Sequence, residues 1–419
     1  MSIDDLSTSG IKRLASYSPY LDTLASFASE MELKQRSNLV YLEKCLHQEW
    51  GLGQRCVLAW TPHDQGILIL VVPHYAVAEY TAEENQVPGQ GWTLSERFIK
   101  SLLSGSRLLS HVQLLKVGRL LKVEPKYIAL RQALGQSSTE LDIVERMVKR
   151  YGISFVESRA VALFDIVGFS LLSPFEQMTQ LNSLSYSLNS AQSKMMDRDI
   201  GISFGRSTTG DGFYIWNRDQ ATESSGNLYH FMHLVLADNA IARQRSVANS
   251  VPNLRAAFHV GSCYEFHQAE GLSPTIHDYI VGDVTIELAR MIERAMPGQI
   301  FVGDFQISAI DEAAQRRVAV DAIHFVDNAQ NNLSRLNGLE LSGERISSIK
   351  CYLTGERHAD GDFSIRRLVI GDKHGLSRTV YNAKVNIYRE SAEPILLGIE
   401  DRKVRTALGN FASYELVNH

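Results

Sequence analysis

The 419-residue chain holds only four cysteines, Cys45, Cys56, Cys263 and Cys351, and no two of them are spaced as C-x-x-C. That excludes a zinc knuckle and a disulfide framework, and leaves the four as small core residues. Proline is scarce as well, ten residues in all, which removes collagen-like and disordered compositions. The longest apolar run, GILILVV at 66–72, falls far short of the ~20 residues of a membrane span and suits a buried strand. The opening MSIDDLSTSG has no basic stretch leading into an apolar one, so the expected location is the cytoplasm, away from any membrane.

A basic surplus is also missing. Lys+Arg total 42 against 47 Asp+Glu, a formal charge of −5, which provides no field for gathering nucleic acid. His74, His111, His233, His259, His267 and His374 form no H-E-x-x-H pair and read as isolated core or surface residues. GLG at 51–53 is a turn rather than a phosphate loop, because no G-K-[ST] follows, and no G-x-S-x-G elbow is present.

What is present is an ordinary globular balance, 44% hydrophobic and 21% charged, over a length that suits two or three compact units. Residues 1–138 mix helical periodicity (Leu21, Leu24, Phe27, then Leu39, Leu42, Leu46) with the strand-like RCVLAW and GILILVVP, then a VPGQGW loop and an amphipathic run from Phe98 to Leu121. This α+β module is expected to be regulatory, sensory or dimer-supporting. A helix over 139–151, with Leu141, Val144, Met147 and Val148 in one stripe, reads either as a connector or as a surface helix packed on its own domain. The third segment, 152–400, carries the chemistry, and 401–419 reads as a tail.

From residue 159 the elements follow in the order β-α-β-β-α-β. VALFDIV is a strand, Phe175 to Met196 a helix, GISFGRS and GFYIW two strands about a TTGD turn, Leu228 to Arg243 a helix and LRAAFHV a strand. This predicts an α+β fold with the ferredoxin-like order. Val284 to Arg294 reads as a further helix leading to the strand QIFVG, residues 305–345 as helical and loop-rich, and SSIKCYL, SIRRLVI and TVYNAKVNIYR as closing strands. Asp165 ends the first strand and Asp211 sits in the hairpin turn. If those strands are neighbours the carboxylates converge, and hard oxygen ligands of this kind suit Mg²⁺ or Mn²⁺. Gly168, Gly210 and Gly212 would let backbone approach phosphates closely.

ALFDIVGFS, TTGDGFYIW, LRAAFHVG and YIVGDVTIELARMIERAMPGQIFV, in this order and at these spacings, resemble the catalytic domain of class III nucleotidyl cyclases over residues 159 to about 304. The resemblance implies two divalent metal ions, Mg or Mn, held by Asp165, Asp211 and the Ile166 carbonyl. It also implies phosphate contacts at Gly168 and Phe169, and a catalytic Arg290 that meets the phosphates. It further implies a homodimer with the sites at the interface and a nucleoside triphosphate as substrate.

The family's substrate contacts are altered. The adenine-reading lysine position is Ser207, its partner aspartate position is Tyr279, and the ribose-orienting asparagine position is Ile286. A pocket without those partners should discriminate poorly for ATP, since an unpaired buried polar group costs about 1–3 kcal/mol. GDGFYIW and the late DKHG and YNAKVNIYR segments also resemble bacterial pyrimidine cyclases of Pycsar-type anti-phage signalling, which make cyclic UMP or cyclic CMP. The expected reaction is therefore cyclisation of UTP or CTP with loss of pyrophosphate. A one-residue slip would put Asp278 in place of Tyr279 and revive an adenine preference, and Arg206 is an alternative cation beside Ser207. An adenylate or guanylate cyclase with unusual base contacts, or a cyclase-like module that senses nucleotides without turnover, stay open as alternatives.

Overall fold

The structure, a computed structural model, describes residues 32–82, 93–135, 137–218, 223–269, 276–311, 316–358, 363–371, 376–408 and 412–418. Leu21, Leu24, Phe27, the VPGQGW loop and the DKHG segment with His374 lie outside them. The chain divides into two compact units, one made of the residues up to Val156 together with Tyr264–Ile280, the other of Glu157–Cys263 and Val281 onward.

In the first unit, helix α1 (Leu33–Trp50) precedes the hairpin β1 (Arg55–His63) and β2 (Gly66–Pro73). Three helices follow, α2 (Ala76–Ala82), α3 (Leu94–Ser104) and α4 (His111–Leu121), then β3 (Lys126–Ala129), which completes a sheet in the order β1-β2-β3. Both α3 and α4 start on capping boxes, Thr93 with Glu96 and Ser110 with Gln113, and this breaks the single amphipathic run expected there into two helices.

Helix α5 (Ser138–Arg150) belongs to this unit. Its Ile143, Val144, Met147 and Val148 share a core with Leu39 and Leu42 of α1 and with Val57 and Trp60 of β1, so of the two readings of 139–151 the packed helix is the one observed. Arg107, fully buried, ties the loop after α3 together by donating to the carbonyls of Leu102 (2.6 Å), Leu103 (3.0 Å) and Ile153 (2.6 Å). Glu145 of α5 accepts from the backbone of Arg107 and Leu108 and from the Trp60 indole. Burial lowers the Arg107 guanidinium to about 10, with Glu145 opposing.

The second unit is built on β4 (Ile153–Ile166), α6 (Pro174–Met196), β5 (Phe204–Thr208), β6 (Gly212–Asn217), α7 (Ser224–Arg245) and β7 (Leu254–Ala269). These strands stand in the order β7-β4-β6-β5. β4 is buried without a break from Ala160 to Ile166, because α6 and α7 lie against the sheet through Leu184, Leu188, Leu228 and Phe231. Ser173 and Glu176 form a capping box on α6, with Pro174 in the first turn. β8 (Ile276–Val281), all but its last residue in the first unit, pairs with β7, and α8 (Asp283–Ile292) and β9 (Ile300–Gly303) follow, β9 pairing parallel with β7.

Residues 305–345 depart from the expected helix and loop. They open on a hairpin, β10 (Gln306–Asp311) and β11 (Arg316–Asp321), before α9 (Ala322–Asn332) and the short β12 (Glu340–Leu341). The alternation in RRVAVD is a strand period that a helical reading overlooks. The sheet is extended by β13 (Glu344–Leu353), β14 (Gly355–Arg357), β15 (Phe363–Gly371), β16 (Ser377–Arg389) and β17 (Ile395–Leu397). The tail segment is structured, with helix α10 (Asp401–Leu408) and strand β18 (Ala412–Asn418), which pairs with β15. No described helix is long and apolar enough to cross a membrane. All four cysteines are free thiols, three of them buried.

Burial brings His230 and His259 down to about 4, and His233 well below its usual value. These imidazoles are neutral when folded and bind protons when unfolded, so stability rises with pH between about 4 and 6.5 and is lost as pH falls through that window. Each contributes a slope of about 1.4 kcal/mol per pH unit. Urea midpoints should fall steadily from pH 6.5 to 4.5, and less steeply in His230→Asn; a flat profile would contradict this account.

Candidate active site

Asp165 stands next to last in β4 and is 6% exposed. β4 pairs antiparallel with β6, with Asp165 opposite Gly212, and the Ile166 N–H donates to the Asp211 carbonyl at 3.0 Å. The two aspartates therefore lie at adjoining strand ends. Gly212 makes this approach possible, because a Cβ there would lie 1.9 Å from the Phe164 carbonyl oxygen. Gly210 serves differently: its φ of 97° is the reason for glycine, since open space surrounds it. The turn holds Asp211 through its own hydroxyls, Thr209 Oγ1 donating to Asp211 Oδ1 at 3.1 Å while Thr208 Oγ1 accepts from the Gly210 N–H.

Arg255, at the start of β7, donates from Nε to Asp165 Oδ2 at 2.6 Å and from Nη1 to the Ala295 carbonyl at 3.0 Å. Desolvation pushes the Asp165 carboxyl above its usual range, the Arg255 hydrogen bond and charge pull against it, and the Asp211 charge adds to the rise. Sequence reasoning passed over Arg255. The signal was available: in the order β7-β4-β6-β5 the strand opening on LRAAFHV lies beside β4, so an arginine at its start comes level with the aspartate.

Gly168 takes a left-handed conformation (φ 70°) that leads into the short helix Phe169–Leu171. Phe169 packs its ring against the core, and its carbonyl accepts from Gln177. Ser207 pairs opposite Tyr214, so the two share a face. The Tyr214 hydroxyl donates to the Thr285 carbonyl at 3.1 Å, which brings that face to α8, the helix of Ile286 and Arg290. Arg206 is on the other face, donating to Ser185 Oγ at 2.9 Å and lying over the Phe213 ring.

Ile286 is 53% exposed. Arg290 lies 3.7 Å from Glu293 on the same helix. Gly282 starts α8 with φ 145°, where a Cβ would lie 2.8 Å from Cys263 Cα. Tyr279 and Asp278 are on β8 in the first unit. Tyr279 stacks on Phe266 with ring centroids 5.7 Å apart, and Asp278 Oδ1 is 2.7 Å from His267 Nδ1. His267 is therefore a paired residue rather than an isolated one.

Among the described residues no cluster of three or more His, Cys, Asp or Glu forms a ready metal cage. Two carboxylates at adjoining strand ends, one of them raised chiefly by burial and further by its neighbour's charge, fit Mg²⁺ or Mn²⁺ that completes its shell with phosphate and water.

No family model matches the chain, and no curated protein matches it. Solved structures that match include the guanylate cyclase domain of RhGC from Catenaria anguillulae, at 12% identity over 57% of this chain and 100% of that one, with a TM-score of 0.33. The guanylyl cyclase Cya2 matches at 12% identity over 55% and 92% with a TM-score of 0.33. The adenylyl cyclase CyaB from P. aeruginosa matches at 13% identity over 57% and 100%, also at 0.33.

Removing Arg255 leaves Asp165 buried without its cation, which costs roughly 3 kcal/mol when the carboxylate is ionised. Arg255→Met should therefore lower the melting temperature at pH 8 in chelator, and lower it progressively less as the pH falls and Asp165 takes up a proton. A loss that does not change with pH would contradict this assignment.

Proposed function

We propose that the chain is a metal-dependent nucleotidyl cyclase that converts a pyrimidine nucleoside triphosphate, UTP or CTP, to a 3′,5′-cyclic nucleotide and pyrophosphate. The observation that carries this reading is the placement of Asp165 and Asp211 at adjoining ends of β4 and β6, with the Ile166 backbone between them. The strand order β7-β4-β6-β5 supports a ferredoxin-like core.

When bound, divalent ions would supply charge neutralisation for a triphosphate and its leaving group. Asp165, Asp211 and the Ile166 carbonyl would hold them. Arg255 keeps Asp165 oriented and ionisable until then, since without a neighbouring cation a buried carboxyl takes up a proton. Gly168 and the Phe169 backbone would approach the phosphates. Arg290, permanently charged and fork-shaped, would stabilise the charge that builds on the phosphates, and it would do so across a homodimer.

The residue types support a pyrimidine preference. At the sequence positions of the resembled family's adenine-reading cation and carboxylate, Ser207 and Tyr279 carry hydroxyls, and Ile286 is apolar. The Pycsar-type resemblance supports a product that acts in antiviral signalling.

Incubation with each of the four ribonucleoside triphosphates and Mn²⁺, with products resolved chromatographically, should give a cyclic pyrimidine nucleotide. Asp165→Asn and Asp211→Asn should each lower the rate by at least about a hundredfold, the scale of losing a transition-state electrostatic partner. Exclusive cyclic AMP or GMP would overturn the pyrimidine preference, and no cyclic product from any triphosphate would overturn the cyclase reading.

A further inference from the structure

An open depression of about 490 Å³ lies between β14 and the start of α10, lined by Gly355, Glu356 and Arg357 and by Glu400–Lys403 with Arg405. It lies far from the candidate active site. β14 hangs on β15, β15 on β16, and β16 is separated from β4 by β9 and β7, so four strand spacings of about 4.8 Å lie between β15 and Asp165.

Each of the three carboxylates at this site pairs with a buried cation. Arg366, with a side chain 7% exposed, donates to Asp401 at 2.9 Å and to Glu356 at 3.0 Å. Lys384, 8% exposed, binds Glu400. Arg405 adds a second contact to Asp401 at 3.3 Å.

Beside them, Arg357, Arg402 and Lys403 line the depression with exposed side chains, and none of the three pairs with a carboxylate among the described residues. Every acid at the site thus has a partner while three cations have none, and buried charges on this scale persist only where they are paired. Asp401 is held close to Arg366, while Glu356 and Glu400 reach solvent, each tied to a buried cation, beside three cations that have no acidic partner among the described residues. Arginine forks with a neighbouring lysine are the donor set that recognises phosphoryl oxygens.

We infer that this depression binds a small phosphorylated ligand through Arg357, Arg402 and Lys403, at a site separate from the carboxylate centre. One or two phosphoryl groups would meet these cations, leaving room for a compact body over Gly355. The inference does not depend on the cyclase reading, because none of its residues belongs to the carboxylate centre.

Inorganic pyrophosphate, titrated into the full chain by calorimetry in excess chelator, tests it. Chelation leaves the metal-dependent centre unfilled. Saturable binding is expected, weakened about tenfold or more in Arg402→Ala/Lys403→Ala and likewise in Arg357→Gln, with amide-exchange protection gained over 355–357 and 401–408. Circular dichroism and melting should show both variants folded, as expected for exposed positions. No saturable binding at millimolar pyrophosphate would overturn the proposal. So would binding that both variants retain in full, or tighter binding of a single-stranded oligonucleotide than of pyrophosphate.

Discussion

The close approach of β4 and β6 is the constraint on which the carboxylate centre depends. Both strands belong to a sheet covered by α6 and α7, so their register is set by which face each side chain must bury. That register puts Asp165 opposite Gly212, and only a residue without a Cβ fits beneath the Phe164 carbonyl. A larger residue at 212 would push the hairpin away and with it Asp211, one position earlier. The packing of the sheet and the spacing of the two acids are in this sense one requirement.

Each unit solves a buried-charge problem by the same device, an arginine fixed to main-chain carbonyls or a carboxylate. Arg107 organises the first unit through three short carbonyl contacts, and Arg150 meets Glu43 at 2.7 Å within it. Arg255 does this for Asp165 in the second unit, and Arg366 for the acids under α10. Such pairs are costly to break one-sidedly, because the remaining partner keeps its desolvation penalty. At Asp165 burial raises the carboxyl's hold on a proton, and the guanidinium opposes that.

Much of the second unit was legible in the sequence because its periodicities are strong. The unbroken apolar strand around Asp165, the helix that opens at Ser173-Pro174 and the TTGD turn all lie where residue chemistry puts them. The 306–321 hairpin was not, because a short two-stranded ribbon depends on pairing across the turn more than on apolar pattern. Nor was the strand at 412–418, whose partner β15 lies some fifty residues earlier. Within the site, the motif arginine on α8 is conspicuous in sequence, whereas Arg255 becomes visible only once β7 is known to lie beside β4. The roles of Ser207 and Tyr279 depend on contacts with a base, which residue type alone does not specify.

The central claim is that Asp165 and Asp211 together hold divalent cations for a triphosphate. Electron paramagnetic resonance titration of Mn²⁺, with a non-cyclisable 3′-deoxynucleoside triphosphate present, measures this directly. The account predicts saturable Mn²⁺ binding that Asp165→Asn or Asp211→Asn each abolishes while the fold persists. Unchanged Mn²⁺ binding in the folded double variant would contradict it.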